Sequence, residues 1–138
     1  METKIINGGL SVDDRGSVTF VNDFNFSDIK RFYVVENHRA GFIRAWHGHE
    51  KEGKYVFVVK GTALIGTVHM NSDSPNKYIL SDRSPKILYI PPGHANGFKT
   101  LEEDTRIIFY STSTLQDSLG DDIRFPFDKW NIWEEDFR

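Results

Sequence analysis

The sequence contains no cysteine. Disulfides, thiolate metal sites and a thiol nucleophile are therefore all excluded. No block of like charge is present either: 17 basic residues face 20 acidic ones, for a net charge of −3. That balance argues against nucleic acid or an anionic membrane as the main partner. Long apolar runs are missing as well. The opening "METKIINGGLSVDDRG" lacks the apolar stretch of a signal peptide, and no segment is long enough to span a bilayer. A soluble, cytoplasmic protein is the resulting expectation. No internal repeat, low-complexity tract or Pro/Ser-rich linker marks a boundary, so residues 1–138 are read as one domain. Helical periodicity is also scarce: no segment sustains apolar residues at i, i+3, i+4 and i+7 over three turns.

What the chain does have is aromatic and β-branched residues in short runs. Aromatics make up 14% of it, eleven of them Phe, which suits a β-rich core or a pocket with flat walls. The runs "SVTFVN", "IKRFYVVEN", "GFIRAWHGH", "KYVFVVKGTALIGTVHM", "KYILS", "KILYIPP", "GFKTL" and "TRIIFYSTS" are bounded by Gly, Pro, Asn or Asp. In "KYVFVVKG", Tyr55, Phe57 and Val59 fall on one face and Lys54, Val56, Val58 and Lys60 on the other. Many short strands at regular spacing predict an all-β jelly-roll sandwich or barrel. The tail "DDIRFPFDKWNIWEEDFR" carries Phe125, Phe127, Trp130, Ile132 and Trp133, too much apolar surface to leave in water. It is expected to pack on the body or on a partner chain.

One stretch concentrates the chemistry: "GFIRAWHGHEKEGKYVFVVKG", Gly41 to Gly61. His47 and His49 stand two apart on a strand, a common way to hold a metal. The spacing resembles the first signature of the cupin superfamily, with Gly41, His47, His49 and Gly61 in register. The position where cupins place a glutamate is Lys54, however. In "PPGHAN", which resembles the second signature, the histidine slot is Asn96 and His94 comes two residues early. A divalent ion wants three or four N/O donors at about 2.0–2.2 Å. An ammonium among them repels the ion. No metal and no cofactor are therefore expected. A neutral histidine, a lysine and Arg44 suit enolate chemistry instead: a base removes a proton beside a ketone and fixed positive charge stabilises the oxyanion. Arg44 lies three before His47, on the opposite face unless a bulge intervenes. His49 is either a second site residue or an orienter of His47. His38 and His69 read as structural or surface residues, Lys30–Arg31 as a solvated edge and Tyr33 as a core or rim tyrosine.

Over most of its length the chain resembles a particular cupin branch, the sugar-nucleotide epimerases and isomerases related to dTDP-4-dehydrorhamnose 3,5-epimerase. "DDRGSV", "IRAWH", "KYVFVVKG", "YIPPGHANGFKTL", "FYSTS" and "DDIRFPFDKWNIW" are each similar to a family stretch. The resemblance implies His47 as base, with Lys54 and Arg44 polarising the carbonyl. It implies Arg15 as a phosphate contact and Asp128 as orienter of His47, one residue out of step with the family. Tyr33, Asn96 and Arg31 join Arg15 as candidate substrate-binding residues. The tyrosine that returns the proton in the family is replaced at its matching positions by Leu115 and Gln116. Tyr110, Tyr55, Tyr33 or water could take its place.

A second branch competes. "IKRFYVV" and "RAWHGHEK" resemble stretches of the sugar-nucleotide 3,4-ketoisomerases, in which two histidines shuttle a proton on one face. The turn "GHANGFKTL" and the Trp-containing tail favour the epimerase. The expected activity is metal-free epimerisation at carbon 3 and/or carbon 5 of a nucleotide-linked 4-keto sugar (dTDP- or GDP-linked), made for a surface polysaccharide. The alternatives are a ketoisomerase, a non-catalytic sugar-nucleotide binder, and a metal-dependent cupin, against which Lys54 counts. A homodimer is expected, because pairing two chains would cover edge strands and the aromatic tail.

Overall fold

A computed structural model describes residues 1–138. In chain order its elements are β1 (Lys4–Asn7), β2 (Gly9–Asp13), β3 (Gly16–Phe20), β4 (Arg31–Glu36), β5 (Ile43–His49), β6 (Lys54–Lys60), β7 (Thr62–His69), β8 (Asn76–Ser81), β9 (Lys86–Ile90), β10 (His94–Thr100), β11 (Arg106–Ser111), α1 (Leu115–Leu119) and β12 (Ile123–Arg124). Every strand from β3 to β11 coincides with one of the apolar runs read from the sequence. The two ends, β1, β2 and β12, had no comparable signal.

Two antiparallel five-stranded sheets, ordered β1-β9-β6-β11-β4 and β12-β5-β10-β7-β8, face each other, while β2 and β3 form a separate hairpin. The alternation in β6 is realised as expected. Lys54, Val56 and Val58 turn inward and are buried, and Val59 is exposed on the other face. Between the sheets Val56, Val58, Ile65, Leu80, Leu88, Ile90, Phe98, Ile107 and Phe109 form one continuous core. Each such side chain removed from water contributes about 1.5–3 kcal/mol, so this layer supplies the main driving force. The fold is thus the all-β jelly-roll sandwich that the strand pattern implied, in a single domain. No helix is long and apolar enough to cross a membrane.

A second core lies outside the sandwich. Trp46 on β5 turns its indole to the outer face of its sheet, where Trp130 and Trp133 of the tail bury it with Val68 and Ala95. The indole N–H groups of Trp46 and Trp133 both donate to the Phe127 carbonyl, at 3.0 and 2.9 Å. Trp130 donates to the Ser72 carbonyl at 2.9 Å. The tail therefore packs on its own body and clamps the strand whose opposite face carries the histidines.

Candidate active site

Strand β5 reaches the interior through an irregularity. His49, Gly48 and His47 pair with His94, Ala95 and Asn96 of β10, but the next paired residues are Arg44 and Phe98. Gly97 therefore faces both Ala45 and Trp46, a bulge with two residues opposite one. The extra residue cancels the odd spacing between Arg44 and His47, and both side chains turn into the same cleft. Gly97 is required there, since a Cβ on it would stand 2.5 Å from the Ala45 Cβ and 3.1 Å from the Arg44 carbonyl oxygen.

The cleft, of about 270 Å³, lies between the two sheets at one end of the sandwich. One sheet contributes Arg44, His47, His49, Asn96 and Arg124, and the other Arg31, Tyr33 and Lys54; Ser118, Leu119 and Asp122 close one side. Four cations and one carboxylate line it, although the chain as a whole is acidic. Such a concentration of positive charge favours an anionic ligand.

Burial, reinforced by the charges of Arg124 and Lys54, lowers the pKa of His47 to about 4, with Asp122 opposing. His47 is thus a neutral imidazole, and its ring makes no hydrogen bond within the protein. His49 is 5% exposed, and its Nδ1 lies 2.6 Å from the Asp121 carbonyl oxygen. A carbonyl only accepts, so Nδ1 carries the proton and Nε2 keeps its lone pair. That Nε2 is buried without a partner. Burial and then Lys54 hold the His49 pKa below the ordinary value, against Glu52.

Lys54 is 7% exposed, and its ammonium forms no hydrogen bond or ion pair. Its Nζ lies 5.9 Å from the Tyr33 ring centre and 5.8 Å from that of Phe109, close enough for weak attraction by the ring faces. Burial lowers its pKa, and Glu52 opposes the shift. The Tyr33 ring stacks on Phe109 at 5.1 Å. Burial, then the charge of Glu52, raises the Tyr33 pKa, so the phenol keeps its proton at neutral pH.

Seven of the residues singled out from the sequence come together here: His47, His49, Lys54, Arg44, Tyr33, Asn96 and Arg31. Arg31 is a correction, because it is not a solvated edge; its guanidinium faces the cleft 5.0 Å from the Tyr33 ring centre. Asn96, in the cupin histidine slot, donates through its amide to the His47 carbonyl at 3.4 Å. Five others lie elsewhere. Asp128 is exposed in the tail, and the acidic residue beside His47 is Asp122, held by Arg124 at 3.1 Å. Tyr110 points to the outer face of its sheet and packs against Phe24 and Phe26 at 5.1 and 5.5 Å. Tyr55 faces the same way, stacked on Tyr89 at 4.6 Å. Neither Tyr110 nor Tyr55 lines the cleft of its own chain; of the named tyrosines only Tyr33 does. Arg15 sits on the hairpin, 85% exposed and paired with Asp13 at 2.6 Å, away from the cleft of its own chain. His94 lies outside the cleft, its Nδ1–H donating to the Pro91 carbonyl at 3.1 Å and its ring 4.0 Å from that of His69.

Reading the sequence missed Glu52, Asp122 and Arg124. Arg124 is the cross-strand neighbour of His47 on a two-residue strand too short to show periodicity. The donor set does not fit a divalent ion: two imidazoles are joined by an amide and an ammonium. No group of three His, Asp or Glu side chains in the chain is arranged to hold a metal ion.

Residues 2–132 match the family model described as dTDP-4-dehydrorhamnose 3,5-epimerase. The spore coat polysaccharide biosynthesis protein SpsL of Bacillus subtilis (strain 168) is 32% identical over 107 residues, 71% of each chain. A dTDP-4-dehydrorhamnose 3,5-epimerase from Bacillus anthracis, solved with TDP and PPi bound, is 25% identical with a TM-score of 0.75, covering 89% of this chain and 78% of that one. A 3,4-ketoisomerase from Helicobacter canadensis shares the fold at 19% identity and a TM-score of 0.73, over 96% of this chain and 98% of its own. With a family match along nearly its whole length, the chain belongs to the dTDP-4-dehydrorhamnose 3,5-epimerase family, RmlC-like in fold.

Proposed function

We propose that the protein epimerises a dTDP-linked 4-keto sugar at carbon 3 and/or carbon 5 without a metal. The observation that carries this reading is the Lys54 side chain, buried, unpartnered and facing a cleft lined by the neutral His47 imidazole. His47 takes the proton from the carbon beside the ketone, and the C–H electron pair moves into an enolate. Lys54 stabilises the oxyanion, and Arg44 adds positive charge to the same cleft. Tyr33 projects from the sheet opposite His47 and holds its proton, so it can protonate the opposite face. One C–H bond breaks on one face and one forms on the other; the His47 imidazolium then releases its proton to solvent and the tyrosinate regains one from it. Arg31 and Arg124 add positive charge for the diphosphate. The thymidine nucleotide is favoured by the TDP bound to the Bacillus anthracis relative. SpsL, named for spore coat polysaccharide biosynthesis, supports a polysaccharide sugar as product. A homodimer is supported by the apolar outer face of the β1-β9-β6-β11-β4 sheet, where Phe32, Val34 and Val59 are each more than half exposed.

A 3,4-ketoisomerase is the second reading. It is favoured by the outward turn of Tyr110 and by the free Nε2 of His49, since two imidazoles on one face can pass a proton between adjacent carbons. Incubation with a dTDP-4-keto-6-deoxy sugar in deuterated water separates the two. Label at carbon 5 or carbon 3 with the ketone still at carbon 4 supports the epimerase. A ketone moved to carbon 3 supports the ketoisomerase, and no exchange leaves a sugar-nucleotide binder.

A further inference from the structure

Glu52 is 2% exposed, yet it belongs neither to the histidine signature nor to the set of groups that face the cleft. Its place follows from the register of three strands. Ser111 on β11 is the direct partner of Arg31 on β4 and of Lys54 on β6. Directly opposed residues point to the same face, so an arginine, a serine and a lysine form one inward row. Adjacent strands are about 4.8 Å apart, so the arginine and lysine side chains leave the sheet on either side of the serine. The Ser111 hydroxyl donates to one Glu52 oxygen at 2.6 Å, and the Ser118 hydroxyl from α1 donates to the other at 2.7 Å. An Arg31 nitrogen lies 3.6 Å from the carboxylate, and His49 Nδ1 is also at 3.6 Å.

A carboxylate buried this deeply keeps its charge only when donors and cations surround it. Burial raises the Glu52 pKa, but the two serine hydroxyls, Lys54 and His49 outweigh it and hold the group below the usual glutamate range. The same account seen from the lysine is reciprocal. Lys54 has no hydrogen-bond acceptor of its own and sits with Arg31 and Arg124, which repel its charge, while Glu52 and Asp122 favour it.

We propose that Glu52 is a positioning residue of this site. Seated on Ser111 between Arg31 and Lys54, it keeps the lysine an ammonium aimed into the cleft and steadies the His49 ring. This rests on the reading of Lys54 as the group that meets the developing oxyanion. Glu52 touches no substrate in this arrangement and acts through its neighbours.

The test uses the full chain labelled with ¹³C-lysine, the Lys54 signal being assigned by its loss in Lys54→Met. In Glu52→Gln, which keeps the shape and removes the charge, Lys54 titrates at lower pH than in the wild type. The alkaline limb of the activity profile moves down with it, kcat falls at least tenfold and KM changes little. Glu52→Asp, which keeps the charge, returns the alkaline limb towards the wild-type position. Identical Lys54 titration in Glu52→Gln and wild type overturns the proposal, and so does an alkaline limb that stays in place while kcat falls. Should Glu52→Gln not fold, Lys54→Met is followed through its glutamate carboxyl carbons. A Glu52 carboxyl that titrates at higher pH than in the wild type supports the coupling; an unchanged curve down to acid unfolding overturns it. The titrations need no substrate, so a wild type that turns over no 4-keto sugar defeats the proposed function and leaves the Glu52 coupling to be decided separately.

Discussion

Gly97 lies against Ala45 so closely that one added methyl group on the glycine would meet the alanine methyl at 2.5 Å. This contact is the back of the bulge that brings Arg44 and His47 to one face. Gly97→Ala must push the two strands apart, and overpacking of this kind costs about 1–3 kcal/mol. Because the strain falls on the bulge, turnover should fall by more than the loss of folded protein explains. Urea unfolding and kcat measured on the same preparation check this. A variant as stable and as active as the wild type would show that the bulge is not held by close packing.

His47→Asn removes the proposed base and keeps a polar group of similar size. Turnover should drop by about 10²–10⁴, the range for a positioned acid–base group. TDP binding, measured by calorimetry, should remain within a few-fold, because the cations that favour the diphosphate are untouched. Deuterium wash-in at wild-type rate would take the base role away from His47.

The frame of this site was legible in the sequence because it depends on period-two alternation. That pattern put Lys54 on the buried face of β6, and the spacing from Gly41 to Gly61 aligned His47 and His49. The same reasoning could have turned Tyr110 away, since Ile107, Phe109 and Ser111 form the buried set of β11 and Tyr110 falls between them. Arg44 was ambiguous, because a bulge leaves no mark except a glycine on the neighbouring strand. Glu52 was invisible: the hydroxyls that hold its charge come from residues 59 and 66 positions away. Asp128 was placed by motif alignment, whereas the tail spends that region packing Trp130 and Trp133 and leaves Asp122 beside His47.

The histidines make the native state sensitive to mild acid. His47 titrates at about 4 in the folded protein, against about 6.5 in an unfolded chain. Within that window the unfolded chain binds a proton that the native site refuses, so stability is present above it and is lost as pH falls through it. His49 and His94, lowered first by burial, act in the same direction. The urea midpoint should therefore decline between about pH 6.5 and pH 4, and His47→Asn should decline less steeply. Equal slopes in the two proteins would mean that His47 is not held neutral by the fold.

Chelation should leave the protein untouched. Lys54 puts an ammonium among His47, His49 and Asn96, so dialysis against a strong chelator should change neither turnover nor melting temperature. Lys54→Met, by contrast, should cost about 10²–10³ in kcat, the scale of one lost oxyanion donor. Stoichiometric metal in the purified wild type, measured by mass spectrometry, would contradict this account of the cleft.

The tail makes a prediction that can be read optically. All three tryptophans of the chain, Trp46, Trp130 and Trp133, lie in the outer core, with the Trp46 ring centre 5.4 and 5.3 Å from the other two. Tryptophan fluorescence therefore reports on contact between tail and sheet, while far-ultraviolet circular dichroism reports on the strands. Because β5 carries Trp46 on one face and His47 on the other, loosening the tail frees the strand that positions His47. Trp130→Ala empties one side of the Trp46 pocket and also deletes the hydrogen bond to Ser72, and a buried tryptophan truncated this way costs about 3–5 kcal/mol. The wild type should show coincident fluorescence and circular dichroism transitions in urea. In Trp130→Ala the fluorescence transition should come first, with kcat falling in parallel with it. Activity that persists after the fluorescence change would separate the tail from the catalytic strand.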